Sequence, residues 1–487
     1  MPNMQTCLHA IAHQDSTMES IDLSGNPARL DPDTLQLELG AFGFIRKINL
    51  SNIYRRSGPG PLLTANVLLT WKLEELHFNN TSLNQQDVGE LCQYLRSSQS
   101  DTLRQLGLNQ CNLTGAQVAD LLHAMFRGIG SIRPIHLHIT KNRLENAHDS
   151  FVEAISRSMT PSGITMQMLE YEEERHFRDF VNALANNTSL IFLDISKASL
   201  PTDAGDDTCE ALEKMLAENR TLQELDISGE QAHLEAASLG IGLNRALMGL
   251  SRNETLRVLR VENQGLGFQG ASTLASVFEH NKGLREVYCE NNEIGLQAFT
   301  VIVKSMEQNY TLLYLPHMDA DRAWSLDKVQ REIDKSRDNS SIMNMNMSMP
   351  GKATVRRTLG AAMTGQKPGR STRTAPTTVF TTREANAAVN SLKTNWLGEV
   401  SKLQGCLMRN YNIAHGFPVA DMLQHERPAT AIRDSSVEGT PTCEADLQLG
   451  ATAKEMERAE KDELASSPDE NDVDGALMMS EKLHLSS

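Results

Sequence analysis

The sequence predicts an α/β fold: a right-handed solenoid with parallel strands on its concave side, helices on its convex side, and a largely disordered C-terminal tail. Three observations predict it. An apolar residue, two spacers, an apolar residue, one spacer and a third apolar residue recur eleven times, as in Leu222-Gln-Glu-Leu225-Asp-Ile227. The leading positions are Met18, Ile45, Leu73, Leu103, Ile132, Gly163, Leu190, Leu222, Leu256, Leu284 and Leu312; units of about 27 to 34 residues are the period of stacked strand-helix repeats. Within a unit such as 256–283, a strand-like run gives way to a Gly-containing turn, and Ala271, Leu274, Ala275, Val277 and Phe278 then recur at helical spacing. Finally, Asn187, Asn219, Asn253, Asn281 and Asn309 each stand three residues before a leading Leu. The pattern is that of leucine-rich repeats, each of which buries its apolar side only against its neighbours, so one long domain suits the length of 487 residues.

Taken in order, residues 1–17 read as the remnant of an upstream repeat helix. Cys7, Leu8, Ile11 and Ala12 supply its apolar positions, and the expectation is a longer protein entered in mid-repeat. Residues 18–320 form the solenoid of about eleven repeats. The junction asparagines are read as helix stops, because Asn tolerates left-handed backbone better than other non-glycine residues. The Asn-x-Thr sequences at Asn219, Asn253 and Asn309 are accordingly helix ends rather than glycan acceptors. The Asn typical of the strand-to-helix turn stands at Asn26 and Asn292, while Thr81, Cys111 and Thr140 take its place and Glu230 or Gln264 appear elsewhere. Residues 321–338 read as a C-terminal capping helix and 339–382 as a disordered linker, without an acidic residue and with Lys352, Arg356, Arg357, Lys367, Arg370 and Arg373. In the helix expected over 383–410, Ala385, Val389, Leu392, Trp396, Val400, Leu403 and Leu407 trace one apolar stripe. That stripe must bury against the solenoid, a second copy of the chain, or a partner groove. Residues 411–487 read as a disordered acidic tail.

Composition narrows the function. A formal net charge of -16 opposes nucleic-acid binding, which needs clustered Lys and Arg. Seven unpaired-looking cysteines, without C-x-x-C spacing, read as reduced thiols in a reducing compartment. Neither a signal peptide nor an apolar run long enough for a membrane span is seen, so a cytoplasmic protein is expected. The phosphate-loop, H-E-x-x-H and G-x-S-x-G motifs do not occur. His136 and His138 share one strand face but lack a visible third ligand, so they read as surface histidines, and no metal, cofactor or enzymatic activity is expected. The spacer positions of the strands face the concave wall. In the last repeats they are Asp194, Glu224, Asp226, Arg260, Glu262, Glu286, Tyr288, Glu290 and Tyr314, an acidic wall with two tyrosines suited to a basic protein partner. Charge reversal at Glu262 and Glu290 is expected to weaken that binding.

A period near 28 residues with a full helix resembles the ribonuclease-inhibitor type of repeat. The close of the repeats, Leu312-Leu-Tyr-Leu-Pro-His-Met-Asp-Ala-Asp-Arg-Ala-Trp324 followed by Asp327-Lys-Val-Gln-Arg-Glu-Ile-Asp334, resembles that of the CARMIL family, as do the Asn-x-Thr-Leu junctions at Asn219 and Asn309. The resemblance covers about residues 8 to 340. It implies a scaffold in actin cytoskeleton organisation at the cell cortex, with a helical dimerisation segment for which the stripe from Val389 to Leu407 is the candidate. The chain departs from the family in lacking the Pro-rich ligand for SH3 domains and the basic pattern of the capping-protein motif beyond Leu423-Gln-His425-Glu-Arg427-Pro428, so capping-protein binding is not carried over. The alternative is a GTPase activator resembling the Ran type, which combines similar repeats with an acidic tail and acts by ordering the GTPase's own machinery. The basic linker also offers peripheral contact with anionic membrane, at about 1 kcal/mol per exposed Lys or Arg.

Overall fold

A strand of three residues suffices in each repeat because only its middle side chain has to be buried. In the computed structural model, residues 8–11, 17–25, 32–53, 60–128, 130–231, 236–237, 239–240, 242–347 and 382–417 are described. They belong to one compact unit, Met1–Asp421. The strands are β1 (Ser20–Asp22), β2 (Lys47–Asn49), β3 (Glu75–His77), β4 (Gln105–Gly107), β5 (His136–His138), β6 (Gly163–Thr165), β7 (Phe192–Asp194), β8 (Glu224–Asp226), β11 (Val258–Arg260) and β12 (Glu286–Tyr288), all in one parallel sheet and in chain order. A small antiparallel ribbon, β9 (Glu230–Gln231) with β10 (Ala236–Ala237), interrupts the order between β8 and β11. An eleventh rung is a single bridge from Glu286 to Tyr314. The middle residues, from Ile21 through Leu106, Leu137 and Leu225 to Val287, are all buried.

Strand register corrects two leading positions. Leu106 pairs with Leu137 and Leu137 with Ile164, so those repeats lead with Pro134 and Pro161 rather than Ile132 and Gly163. A slip of two residues keeps every side chain on its own face, and so the alternation alone could not distinguish the frames. The same slip put Thr140 where Asn142 belongs. Asn142 Oδ1 accepts the N–H of Cys111 and Leu113 at 3.1 and 3.0 Å, and its amide donates to the Leu108 and Ile139 carbonyls. Asn292 does the same for Gln264 and Leu266 at 2.8 and 3.5 Å. Asn26 lies outside the described residues.

The helices behind the sheet are α1 (Pro32–Leu39), α2 (Ala65–Leu68), α3 (Gln85–Arg96), α4 (Gly115–Met125), α5 (His148–Ser156), α6 (Glu174–Ala185), α7 (Asp206–Glu218), α8 (Leu243–Ala246), α9 (Gly267–His280) and α10 (Leu296–Ser305). Residues 8–11 are helical ahead of β1, with Leu8 in the core. Two helices start with reciprocal caps that consume orphan N–H groups: Asn84 with Asp87, and Thr114 with Gln117. Each convex helix buries one stripe. Phe151 of α5 stacks on Phe180 of α6, with ring centroids 5.8 Å apart.

The junction asparagines are not left-handed helix stops. Asn219, Asn253 and Asn281 have extended backbone, with φ of -63°, -90° and -73°. Their side chains are buried and bridge repeats instead. Asn253 Nδ2 donates to the Leu216 and Asn219 carbonyls at 2.7 and 3.3 Å; Asn281 Nδ2 donates to those of Leu250 and Asn253 at 2.6 and 2.8 Å. Each Oδ1 accepts the two N–H groups that open the next strand, as Asn281 does from Gly283 and Leu284. Amide rather than backbone freedom is what the position requires, since a buried helix-end carbonyl needs a donor. Where no Asn is available, a guanidinium substitutes. Arg127 donates to the Leu95 and Ser97 carbonyls at 2.7 and 2.9 Å, and buried Arg133 donates to Leu95 at 3.1 Å.

Two further helices close the C-terminal end. The first, α11 (Asp319–Met347), continues past residue 338, so residues 339–347 are helical where the sequence suggested linker. Its buried Asp321, one residue beyond the turn position counted from Leu312, takes over the role of the turn amide: Oδ1 accepts the N–H of Asn292 and Ile294 at 2.9 and 2.8 Å, and Oδ2 that of Asn291. The second, α12 (Thr382–Ala414), lies against α10 and α11. Trp396 and Leu403 are fully buried in the solenoid core, with Leu392, Val400, Cys406 and Leu407 packed at its margin and Val389 half-buried. Trp396 stacks on Phe299 with centroids 5.1 Å apart and donates its indole N–H to the His317 carbonyl at 3.1 Å. Arg409 Nη2 donates to the carbonyls of Met306 and Asn309, and Asn410 Nδ2 to that of Leu312. The carbonyls of Met306 and Asn309 correspond to those which a following junction Asn would have engaged. The rest of the expected linker, residues 348–381, and most of the acidic tail, residues 418–487, lie outside the described residues.

Candidate protein-binding face

Every second side chain of the sheet stands on the concave face, and strand register decides which of them become neighbours. One row runs Phe192, Glu224, Val258, Glu286 and, through the last bridge, Tyr314. Beside it runs Asp194, Asp226, Arg260 and Tyr288. Glu262 and Glu290 extend past the strand ends of β11 and β12. The nine residues expected on this wall therefore do gather there, on five adjacent repeats. Their burial is uneven: Asp194 is only 7% exposed, Tyr314 is 41% exposed, and the rest are half-buried.

Two aromatic rings and one guanidinium form a stack along the wall. Tyr314 and Tyr288 have centroids 4.7 Å apart, and Arg260 lies over the Tyr288 ring at 4.7 Å. The Tyr288 hydroxyl donates to Glu286 at 2.9 Å. Glu290 Oε1 accepts the N–H of Asp319, at the start of α11, at 2.8 Å. Reversing the charge of Glu290 would thus disturb the cap as well as the wall, whereas Glu224 and Glu262 have no hydrogen bond of their own side chains among the described residues.

The charges on the two ends of the sheet differ in kind. At the N-terminal end they are paired across strands, Lys47 with Glu75 and Arg46 with Glu74. On the C-terminal wall, no Lys or Arg among the described residues forms an ion pair with Glu224, Asp226, Glu262, Glu286 or Glu290, and Arg260 is engaged by a ring face. Burial, then the neighbouring Asp226 and Glu290, raises the Glu262 carboxyl above its ordinary range. Burial raises that of Asp226 as well, with Asp194 adding to it against hydrogen bonds from Ser228. Arg260 offsets both shifts only in part, so these carboxylates crowd one another, a condition that an incoming cation relieves.

The centre of the sheet carries a different surface, at the two residues that the sequence reads as surface histidines. His136 and His138 are stacked, 4.3 Å apart and 2° from parallel, and Phe192 flanks His136 at 4.8 Å. His136 Nε2 is engaged by the Thr165 hydroxyl at 2.8 Å. Burial leads in lowering both imidazoles, His138 to about 4. Gly163 sits against this cluster, where a Cβ would stand 3.4 Å from the His136 ring and 3.6 Å from Phe192, and Gly107, beside His138 in the sheet, leaves room for His77, whose Nδ1 would lie 2.4 Å from a Cβ there. The pair is a half-buried neutral shelf rather than two free surface histidines. The signal available in the sequence was the pairing of small Gly107 and Gly163 with the flanking histidines. Among the described residues, no group of three or more His, Cys, Asp or Glu is arranged to hold a metal ion, and no helix is long and apolar enough to cross a membrane.

A cavity of about 610 Å³ opens at the strand-to-helix edge beside this shelf, between residues 141–146 and 168–173. Glu145 on its wall accepts from the Glu172 N–H and meets His176 Nδ1, both at 2.9 Å. It lies where the turn-position amides lapse, since Leu169 and Ala198 follow Asn142.

No family model matches the chain. Among solved structures, the chain is similar to the leucine-rich repeat-containing protein LegL7 from Legionella pneumophila, at 15% identity and a TM-score of 0.39, over 61% of this chain and 90% of that one. It is also similar to the tropomodulin C-terminal domain from Caenorhabditis elegans, at 15% identity and a TM-score of 0.26, over 34% of this chain and 94% of that one.

Proposed function

We propose that the chain is a non-enzymatic interaction scaffold whose C-terminal concave wall receives a basic polypeptide. The carrying observation is that, among the described residues, Glu224, Asp226, Glu262 and Glu286 form no ion pair with Lys or Arg and have Arg260 alone among them as a cation acting on Asp226 and Glu262, next to a Tyr314–Tyr288–Arg260 array that offers rigid contact area. Carboxylates of this kind steer a cationic partner, and the aromatic pair supplies the buried anchor. Solvation alone explains the compensated Lys47–Glu75 end better than it explains this one.

The cytoplasm, and the cell cortex within it, is the compartment we propose, with actin-regulatory proteins as the first partner class to test. The test is a pull-down with the full chain, wild type against Glu224→Lys/Glu262→Lys, followed by titration of each captured protein. Partners held by wild type and lost by the variant support the wall. Partners held equally by both would overturn it, and acceleration of GTP hydrolysis by Ran would replace the scaffold reading with that of an activator.

A further inference from the structure

A basic segment lies in the chain between the two helices that close the C-terminal end. Residues 348–381 contain Lys352, Arg356, Arg357, Lys367, Arg370 and Arg373 and no Asp or Glu, whereas the chain as a whole carries a net charge of -16. The two helices that bracket this segment both attach at the wall's end. Helix α11 starts with Asp319 bonded to Glu290, itself a wall residue, and α12 is anchored by Trp396 on the carbonyl of His317, three residues after Tyr314.

We propose that residues 348–381 are an intramolecular ligand of the acidic wall, occupying the face formed by Glu224, Asp226, Arg260, Glu262 and Tyr288 until a partner displaces them. The inference rests on the wall being the binding surface, and adds which polypeptide occupies it first. Reach permits it. At about 1.5 Å per helical residue, Thr382 stands within about 21 Å of the Trp396 anchor. An extended chain spans about 3.4 Å per residue, so Arg373, nine residues before Thr382, commands a further 30 Å or so. Strands β8 to β12 together occupy only about 10 Å across the sheet at ~4.8 Å per strand. Charge supplies the selectivity: six cations meet a surface where Glu224, Asp226 and Glu262 outnumber the one guanidinium, Arg260, and the compensated N-terminal end of the sheet offers no equal site. Tethering makes the contact effective at modest intrinsic affinity, because a short linker holds its ends at an effective concentration on the order of millimolar.

The experiment compares the full wild-type chain with a full chain in which the six basic residues are replaced, K352Q, R356Q, R357Q, K367Q, R370Q and R373Q. The probe is a fluorescent peptide with the sequence of residues 348–381, read by anisotropy at low and high salt. With its own segment neutralised, the variant should bind the peptide about tenfold more tightly than wild type, the release expected when a tethered competitor is removed. Adding Glu224→Lys and Glu262→Lys should abolish the gain. Equal affinity of wild type and variant, or binding indifferent to the wall substitutions, would overturn the proposal. Polylysine titrated into the same chains separates the two readings. If it binds through Glu224 and Glu262 while the peptide shows no difference, the wall stands and the intramolecular ligand falls. If polylysine also ignores those residues, both fall.

Discussion

Replacing Asn281 with Gly distinguishes two physical roles for the junction asparagine. If the residue served to leave the helix through left-handed backbone, Gly would be as good or better, since Gly adopts that region without steric penalty. The structure assigns four hydrogen bonds to the side chain: donations to Leu250 and Asn253 at 2.6 and 2.8 Å, and acceptance from Gly283 and Leu284 at 2.9 and 2.8 Å. Asn281 is 4% exposed, so water cannot replace them. Leaving a buried polar group bare costs about 1–3 kcal/mol, and the two strand-opening N–H groups have no alternative acceptor, so the loss should be about 2–5 kcal/mol. Gly adds roughly 0.5–1 kcal/mol through the freedom of the unfolded chain. Urea unfolding of the full chain, followed by far-ultraviolet circular dichroism, should show Asn281→Gly at least as destabilised as Asn281→Ala. A Gly variant within about 0.5 kcal/mol of wild type, the scatter of a neutral surface change, would refute the bridging argument.

Other expectations follow from the cap, the wall and the shelf. Trp396→Ala removes the stack on Phe299 and should lower stability by about 3–5 kcal/mol, with α12 becoming sensitive to limited proteolysis; an unchanged urea midpoint would mean that the helix is dispensable. The raised carboxyls of Glu262 and Asp226 bind protons more readily in the folded than in the unfolded chain. Their contribution to stability is therefore present at acid pH and lost as pH rises through the raised values, while attraction for a basic ligand runs the other way. Polylysine binding should weaken on acidification before ordinary exposed carboxylates titrate, and His138→Gln should leave that profile unmoved. His138 is lowered to about 4, so its contribution is present above the usual imidazole value of 6.5 and is lost as pH falls toward 4. Denaturation at a series of pH values should show His138→Gln losing less stability than wild type over that interval, and parallel curves would contradict the buried-shelf geometry. Burial raises all five thiols of the described residues, and only Cys406 among them is half-buried, so a thiol reagent should label it before Cys92, Cys111, Cys209 and Cys289 in the native protein.

The periodic features were legible because they repeat. Alternation placed Asp194, Glu224, Asp226, Arg260, Glu262, Glu286, Tyr288, Glu290 and Tyr314 on one face, and the three-and-four stripe from Val389 to Leu407 marked a helix with something to bury. What periodicity could not supply was the register of the fifth and sixth repeats, because a two-residue slip preserves both faces. With the frame displaced, Asn142 went unnoticed and Thr140 took its place. Nor could a single chain reveal why Asn precedes each strand: the partners of Asn281 lie 28 and 31 residues upstream, and only the stacking of repeats brings them together. The destination of Trp396 was equally hidden, since a stripe specifies that it buries without naming the surface.

Arg409 and Asn410 also bear on how the number of repeats is set. Stacked units of this kind present the same donors and acceptors at every level, so growth by one more unit is chemically open at the last level. The guanidinium of Arg409 ends that sequence because its donors occupy the carbonyls of Met306 and Asn309 while belonging to a helix that carries no strand. Termination is thus written in one pair of residues about a hundred positions downstream of the level they close. Chain length in such an architecture can change by moving the terminator, without altering the units that precede it.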